Sequence, residues 1–324
     1  MTMLDSVRDA KRDAGGETRR GATLVLVLCA TAALVGLVLG AAALAAGRAR
    51  RADDALARAA LRAAARTALA RAAWALCADT NGVDHLGEDW AVASAEAAEA
   101  IGRAADGVFT TVEDDRGRLA FPACGEAALA HLLSEWTSPD EAAARGLAHD
   151  LLLWKRTLDE TVAQSSAATG GAATNAVLCA DEELFAAPIA DPAAFSRALP
   201  FLTVFGDDGR INANTAPRET VVACILGAGG TPGGAEGVWR RLRTARRRGA
   251  VFGRTDPAEA LKLLRGEGDV PTAEELDALQ RLQPLLCVGS DRFRLASVAR
   301  RGPVSVRVEC VWDRASRRIL RWAE

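Results

Sequence analysis

Residues 19–48 read RRGATLVLVLCATAALVGLVLGAAALAAGR, and this stretch decides how the rest of the chain is laid out. From Ala22 to Ala46 no side chain carries a charge, while Arg19 and Arg20 precede the run and Arg48 follows it. At the helical rise of ~1.5 Å per residue the run makes a rod of roughly 37 Å, longer than a hydrocarbon core of about 30 Å. It reads as one membrane-spanning helix near the amino terminus. A secretory signal peptide would have a shorter apolar region and a small-x-small cleavage site after it. Arginines flank the span on both sides (Arg19, Arg20; Arg48, Arg50, Arg51, Arg58), so the positive-inside rule does not fix its orientation.

Working outward, residues 48–77 contain alanine, leucine and arginine without glycine or proline. Leu56, Ala60, Ala63 and Ala64 recur at helical spacing, which extends the span as a stalk helix to about Cys77. Asp79-Thr80-Asn81-Gly82 supplies turn chemistry that ends it. Asp84, Glu88 and Asp89 follow and read as exposed acids. Val108–Val112 is a strand candidate. Residues 127–158 read as helical, with Leu129, Leu132, Leu133, Trp136, Leu147, Leu151, Leu152 and Trp154 on the buried face. Residues 165–174, made of serine, alanine, threonine and glycine, read as a flexible connection.

Asp114-Asp115-Arg116-Gly117-Arg118-Leu119 is echoed by Asp207-Asp208-Gly209-Arg210-Ile211, which suggests two related helical modules in tandem. In the second, Ile211-Asn212-Ala213-Asn214-Thr215-Ala216-Pro217 places Asn and Thr where a helix needs a cap and proline within its first turn. Val221, Val222, Ile225 and Leu226 form a buried stripe, Gly227 ends the helix, and a second helix runs from about Glu236 to Arg248. This is the outline of a helix-hairpin-helix unit. Two further helices are expected at residues 256–259, with a capping box, and at residues 271–282. Near the end Val304, Val306, Val308, Cys310 and Trp312 alternate with polar residues. Residues 313–316 make a turn, Arg317–Trp322 returns as hairpin partner, and Phe293–Val298 is another strand.

The 40 basic and 42 acidic residues give no whole-chain case for nucleic acid. Six cysteines lie outside the span and allow up to three bridges in an oxidising compartment, with the pairing open. His85, His131 and His149 lack zinc-site spacing. No nucleophile elbow, phosphate loop or metal-ligand set points to an enzyme, so no catalytic residue is expected. A membrane-anchored helix-hairpin-helix receptor for DNA uptake is the rival reading, carried by Arg240, Arg241, Arg243, Arg246, Arg247 and Arg248. Against it, the Gly227–Gly234 hairpin reads as too stretched to converge its amides on one phosphate.

The Arg19-Arg20-Gly21-Ala22-Thr23-Leu24-Val25-Leu26 order behind a charged leader resembles the class III signal of type IV pilins and pseudopilins. The resemblance implies cleavage after Gly21 by a prepilin peptidase, leaving Ala22 as an N-methylated terminus. The fifth mature position, a glutamate in most pilins, is Leu26. Residues 84–91, 147–154, 199–205, the Ile211 to Pro217 motif and the terminal Arg321-Trp322-Ala323-Glu324 together resemble the type II secretion system protein K family, large minor pseudopilins that characteristically lack that glutamate.

The family implies an α+β fold: a long amino-terminal transmembrane and stalk helix, a pilin-like antiparallel sheet, and an inserted helical domain of helix-hairpin-helix or SAM-like type. The expected divisions are a leader at 1–21, the span at 22–46, the stalk at 47–77, a pilin-like part at 78–113, helical modules at 114–206 and 207–285, and terminal strands at 286–324. It further implies a non-enzymatic subunit, single-pass in the inner membrane with its C-terminal domain in the periplasm. That subunit caps the pseudopilus tip with I- and J-type minor pseudopilins and helps start its assembly for protein export. No nucleic acid and no required cofactor are expected. Calcium binding occurs in the family, but no acidic run here has the loop spacing that would name ligands.

Overall fold

A computed structural model describes residues 3–135, 141–169, 178–187, 189, 192–253 and 270–324. The expected helix at 256–259, Trp136 and residues 170–174 lie outside the described residues. Two compact units divide at Ala60 and Leu61.

The first unit is helical. Helix α1 (Met3–Ala78) supplies all of it and continues into the second. Its apolar side chains are open, with Leu24, Leu26 and Leu37 each more than 60% exposed. Leu56 is exposed as well.

In the second unit the buried face of α1 starts at Leu61 and runs through Ala65, Leu69, Ala73 and Leu76. These positions recur at three- and four-residue intervals because one side of the helix lies on a sheet. The sheet has the order β1 (Gly107–Asp114), β6 (Arg292–Arg301), β7 (Val304–Asp313), β8 (Arg318–Ala323), all antiparallel. Val112, Phe293, Leu295, Val308 and Cys310 point to α1, as period-two alternation requires. Phe293, Leu295 and Val308 are at most 1% exposed, each worth about 1.5–3 kcal/mol of burial. Helix α2 (Asp89–Gly102), which the sequence reading did not identify, lies against β1.

Strands β1 and β6 pair along their whole length, Val112 opposite Leu295, yet the chain between them makes the entire helical body. Two short parallel bridges frame that body. Strand β2 (Leu119–Ala120) pairs with β3 (Leu202–Thr203), and β4 (Ile211–Asn212) pairs with β5 (Leu286–Cys287). Between the first pair lie α3 (Glu126–Ser134), α4 (Glu141–Thr169) and α5 (Pro192–Ala198); between the second lie α6 (Arg218–Gly227), α7 (Pro232–Arg247) and α8 (Ala273–Leu282). Leu129, Leu133, Leu151, Phe195, Ile225, Val238 and Leu282 share one core. Gly227 lets α6 approach α3, since a Cβ there would sit 2.5 Å from Ala128 Cβ.

Several expectations change. The helical stretch from 127 is two helices, and α4 continues to Thr169 through the serines expected to be a connection. Helix α8 carries a capping box in which Thr272 and Glu275 bond reciprocally; the one expected at 256–259 lies outside the described residues. Helix α7 starts at Pro232 behind the Thr231 N-cap, so the expected long hairpin shrinks to residues 228–231. All seven cysteines are free. Cys224 lies in the helical core and Cys310 in the core under α1. Burial pushes the Cys124 and Cys224 thiols up to about 12, which leaves them poor nucleophiles.

Candidate functional site

Gly21 and Ala22 lie within α1, and Leu26 is 70% exposed on it. The span from Ala22 is long and apolar enough to cross a membrane, and none of its most apolar window is buried. An uncovered stripe of Leu and Val is costly in water, so its natural surroundings are lipid or other apolar helices.

The Ile211 to Pro217 segment lies elsewhere and does a different task. Ile211, Asn212 and Ala216 are fully buried and Asn214 is 2% exposed. The Asn212 amide donates to the Asp84 carbonyl (3.0 Å), Asp114 Oδ2 (2.8 Å) and Ser290 Oγ (3.2 Å), and its oxygen accepts from the Asn214 N–H (2.9 Å). Asn214 exchanges two bonds with the backbone of Phe252, at 2.8 and 3.1 Å. The Thr215 hydroxyl donates to Asp114 Oδ2 at 2.5 Å. None of these side chains caps α6, whose N-cap is Pro217 in an extended conformation with no side-chain bond. The capping expectation is therefore corrected: the asparagines and the threonine are consumed by a buried network that pins the helical body to β1 and to the loop before β6.

Asp114 receives no cation among these bonds. Burial pushes its carboxyl up to about 6, against the pull of Ser290, Thr215, Asn212 and the Arg116 N–H. Its neighbour Asp115 is also raised by burial, although Arg294 pairs with it and with Asp181. Arg294 therefore stands at a second pin between sheet and helical body.

The arginines of α7 are partly committed inside the molecule. Arg246 donates to the carbonyls of Ala213 (2.6 and 3.0 Å) and Ala216 (2.7 Å) and stacks over Trp239 at 5.5 Å. Arg241 pairs with Glu275 at 3.0 Å. Of its arginines Arg240, Arg243 and Arg247 are exposed, as is Arg248 at its C-cap. At its start, where a phosphate would meet free amides, the Thr231 hydroxyl accepts from Gly234 N–H and lies 3.3 Å from Glu274 Oε2. The Glu274 carboxylate thus lies beside the start of this helix. The hairpin is tight rather than stretched, so the loop length given above does not weigh against nucleic acid; the negative charge of Glu274 beside the helix start does.

The acids after the stalk are not uniformly exposed: Asp84 is fully buried, Glu88 half-buried and Asp89 exposed. Ligand oxygens of Asp79, Asp84 and Glu88 lie within 4.8 Å of one another. For the calcium that the resemblance implies, these are the donors brought together among the described residues. They do not fit it. Asp84 Oδ1 and Oδ2 accept from Arg314 at 2.9 and 2.8 Å, and Oδ2 also from the Ser290 N–H at 2.6 Å. Glu88 Oε1 accepts from Asn81 (2.5 Å), and Oε2 from Trp90 Nε1 (2.5 Å) and the His85 N–H (3.2 Å). Sequence reasoning missed Arg314 and Arg294, for which the available signal was a charged residue beside or within otherwise apolar alternation, and it grouped Arg246 with the arginines of the DNA reading although Arg246 donates to internal carbonyls.

No protein-family model matches the chain, and no curated protein matches it. A chain of the solved GspK-GspI-GspJ complex from the type 2 secretion system of enterotoxigenic Escherichia coli is similar to it in structure. The match has 16% sequence identity and a TM-score of 0.51, and covers 85% of this chain and 96% of that one. At that identity the likeness is one of fold, and the fold of this chain is accordingly pilin-like α+β: a long apolar amino-terminal helix, an antiparallel sheet and further helices, shared with a chain of that complex.

Proposed function

We propose that the chain is a non-enzymatic minor pseudopilin of a type II secretion system. In this reading Ala22–Ala46 anchors it in the bacterial inner membrane, and the sheet with its helical body stands on the periplasmic side. The observation that carries the reading is the fold shared over 85% of the chain with a member of the GspK-GspI-GspJ complex. An apolar α1 with open side chains supports it independently, because such a helix gains by packing against like helices once it leaves lipid.

Tip placement rests on Leu26. A carboxylate at that position would neutralise the buried terminal ammonium of a neighbouring subunit, and an unpaired charge in hydrocarbon is costly. A subunit with leucine there suits a filament end, where no further subunit needs the partner. The helical body inserted between β1 and β6 adds bulk above the sheet and would obstruct addition of another subunit on that side. Partners are I- and J-type minor pseudopilins, met through α1.

Processing is the direct test. Co-expression with a prepilin peptidase should remove residues 1–21 and leave a methylated Ala22, read by intact-mass spectrometry. A chain that keeps its leader under those conditions is an ordinary signal anchor. A salt-dependent shift of short duplex DNA by the purified chain would favour the uptake receptor instead.

A further inference from the structure

Where α1 ends, three carboxylates face one another and the chain itself supplies the positive charge between them. Arg314 follows β7 directly. Its guanidinium binds Asp84 with both arms, donates Nη2 to the Ser290 carbonyl at 2.6 Å, and lies 3.9 Å from Asp79 Oδ2. The face of Phe293 is 5.2 Å away, and the Arg314 N–H donates to the Asp291 carbonyl at 2.6 Å. One planar cation thereby ties together the end of α1, the loop at Asp84, the loop before β6, and the turn between β7 and β8.

A hard divalent cation asks for the same surroundings. It gathers about six to eight oxygens at about 2.3–2.6 Å, from carboxylates and backbone carbonyls. Asp79, Asp84, Glu88 and the Ser290 carbonyl are oxygens of those kinds. The two cations cannot share the place, because the guanidinium uses both Asp84 oxygens and its fixed charge repels a second ion.

We propose that Arg314 is a built-in substitute for a divalent cation at this joint: the globular body closes here without calcium, and removal of the guanidinium uncovers a calcium site formed by Asp79, Asp84 and Glu88. The proposal rests on the local geometry and stands whether or not the chain is a pseudopilin.

Asp84 is fully buried, and a buried carboxylate stripped of its partner destabilises the fold unless a proton or another cation neutralises it. The test is thermal unfolding of the full chain in detergent, in excess EDTA and in millimolar calcium. The wild type should melt at the same temperature in both. Arg314→Ala should melt several degrees lower in EDTA and recover part of the loss in calcium, and Arg314→Ala with Glu88→Gln should lose that recovery. Should Arg314→Ala fail to fold in EDTA, folding on addition of calcium supports the proposal and failure in both media overturns it. Arg314→Lys, which keeps the charge but not the two arms, should be mildly destabilised and indifferent to calcium. A calcium-dependent rise in the wild-type midpoint that Glu88→Gln abolishes overturns the proposal, as does an Arg314→Ala variant that melts identically in both media.

Discussion

Replacing Asp114 by asparagine should change how stability depends on pH, and the size of the change follows from the burial of the carboxyl. In the fold Asp114 is held by Asn212, Thr215, Ser290 and the Arg116 N–H without a cation, and burial raises it from an ordinary 3.8 to about 6. A group raised in this way binds its proton more readily in the folded chain than in the unfolded one. Stability therefore increases as pH falls through 6 and the gain is complete below 3.8; above 6 the ionised carboxylate opposes folding in full. A gap of about two pH units, at about 1.4 kcal/mol each, amounts to about 3 kcal/mol. Asp84 and Asp115, also raised by burial, act in the same direction, so the wild-type curve alone does not isolate Asp114. The difference between wild type and Asp114→Asn does. Urea unfolding of both chains, followed by tryptophan fluorescence at a series of pH values between about 3 and 7, should show that difference moving toward the wild type by about 3 kcal/mol as the solution is acidified. A difference that stays constant across the range refutes the reasoning.

Three substitutions test the packing directly. Asn212→Ala removes three donated bonds and one accepted bond in a buried place and should cost about 3–5 kcal/mol in urea unfolding; a cost under about 1 kcal/mol means that the network does not pin the two bodies. Arg246→Met leaves the Ala213 and Ala216 carbonyls without their guanidinium and should destabilise by about 2–4 kcal/mol, whereas Arg247→Met on the exposed side should stay within about 0.5 kcal/mol. Gly227→Ala puts a methyl against the Ala128 backbone, 2.8 Å from its Cα, and should cost about 1–3 kcal/mol. The same unfolding curves read all three.

How much of this was legible beforehand depends on how far apart the interacting residues lie in the chain. The span was legible because charge is absent over a continuous run. The β7–β8 hairpin was legible because the apolar alternation that ends at Cys310 and Trp312 runs into a turn, and their partners Trp322 and Ile319 follow it directly in the chain. Helix α6 was placed by its apolar stripe and by Gly227. The role of Asn212 and Thr215 was not legible: cap chemistry is local, whereas their actual partners, Asp84, Asp114 and Ser290, come from distant segments. Arg314 was hidden for the same reason, since it reads as a turn residue until Asp84 is folded beside it. Helix α2 escaped notice because its alanines give little contrast between a buried and an exposed face. The start of α7 was placed too late because Pro232-Gly233-Gly234 reads as loop, while Thr231 and a proline at the first helical position begin a helix.

The central claim is that this chain ends a filament. Immunogold labelling of an epitope-tagged chain on assembled pseudopili, viewed by electron microscopy, tests it most directly. The account predicts label at one end of each filament and none between; label repeated along the filament length would contradict it.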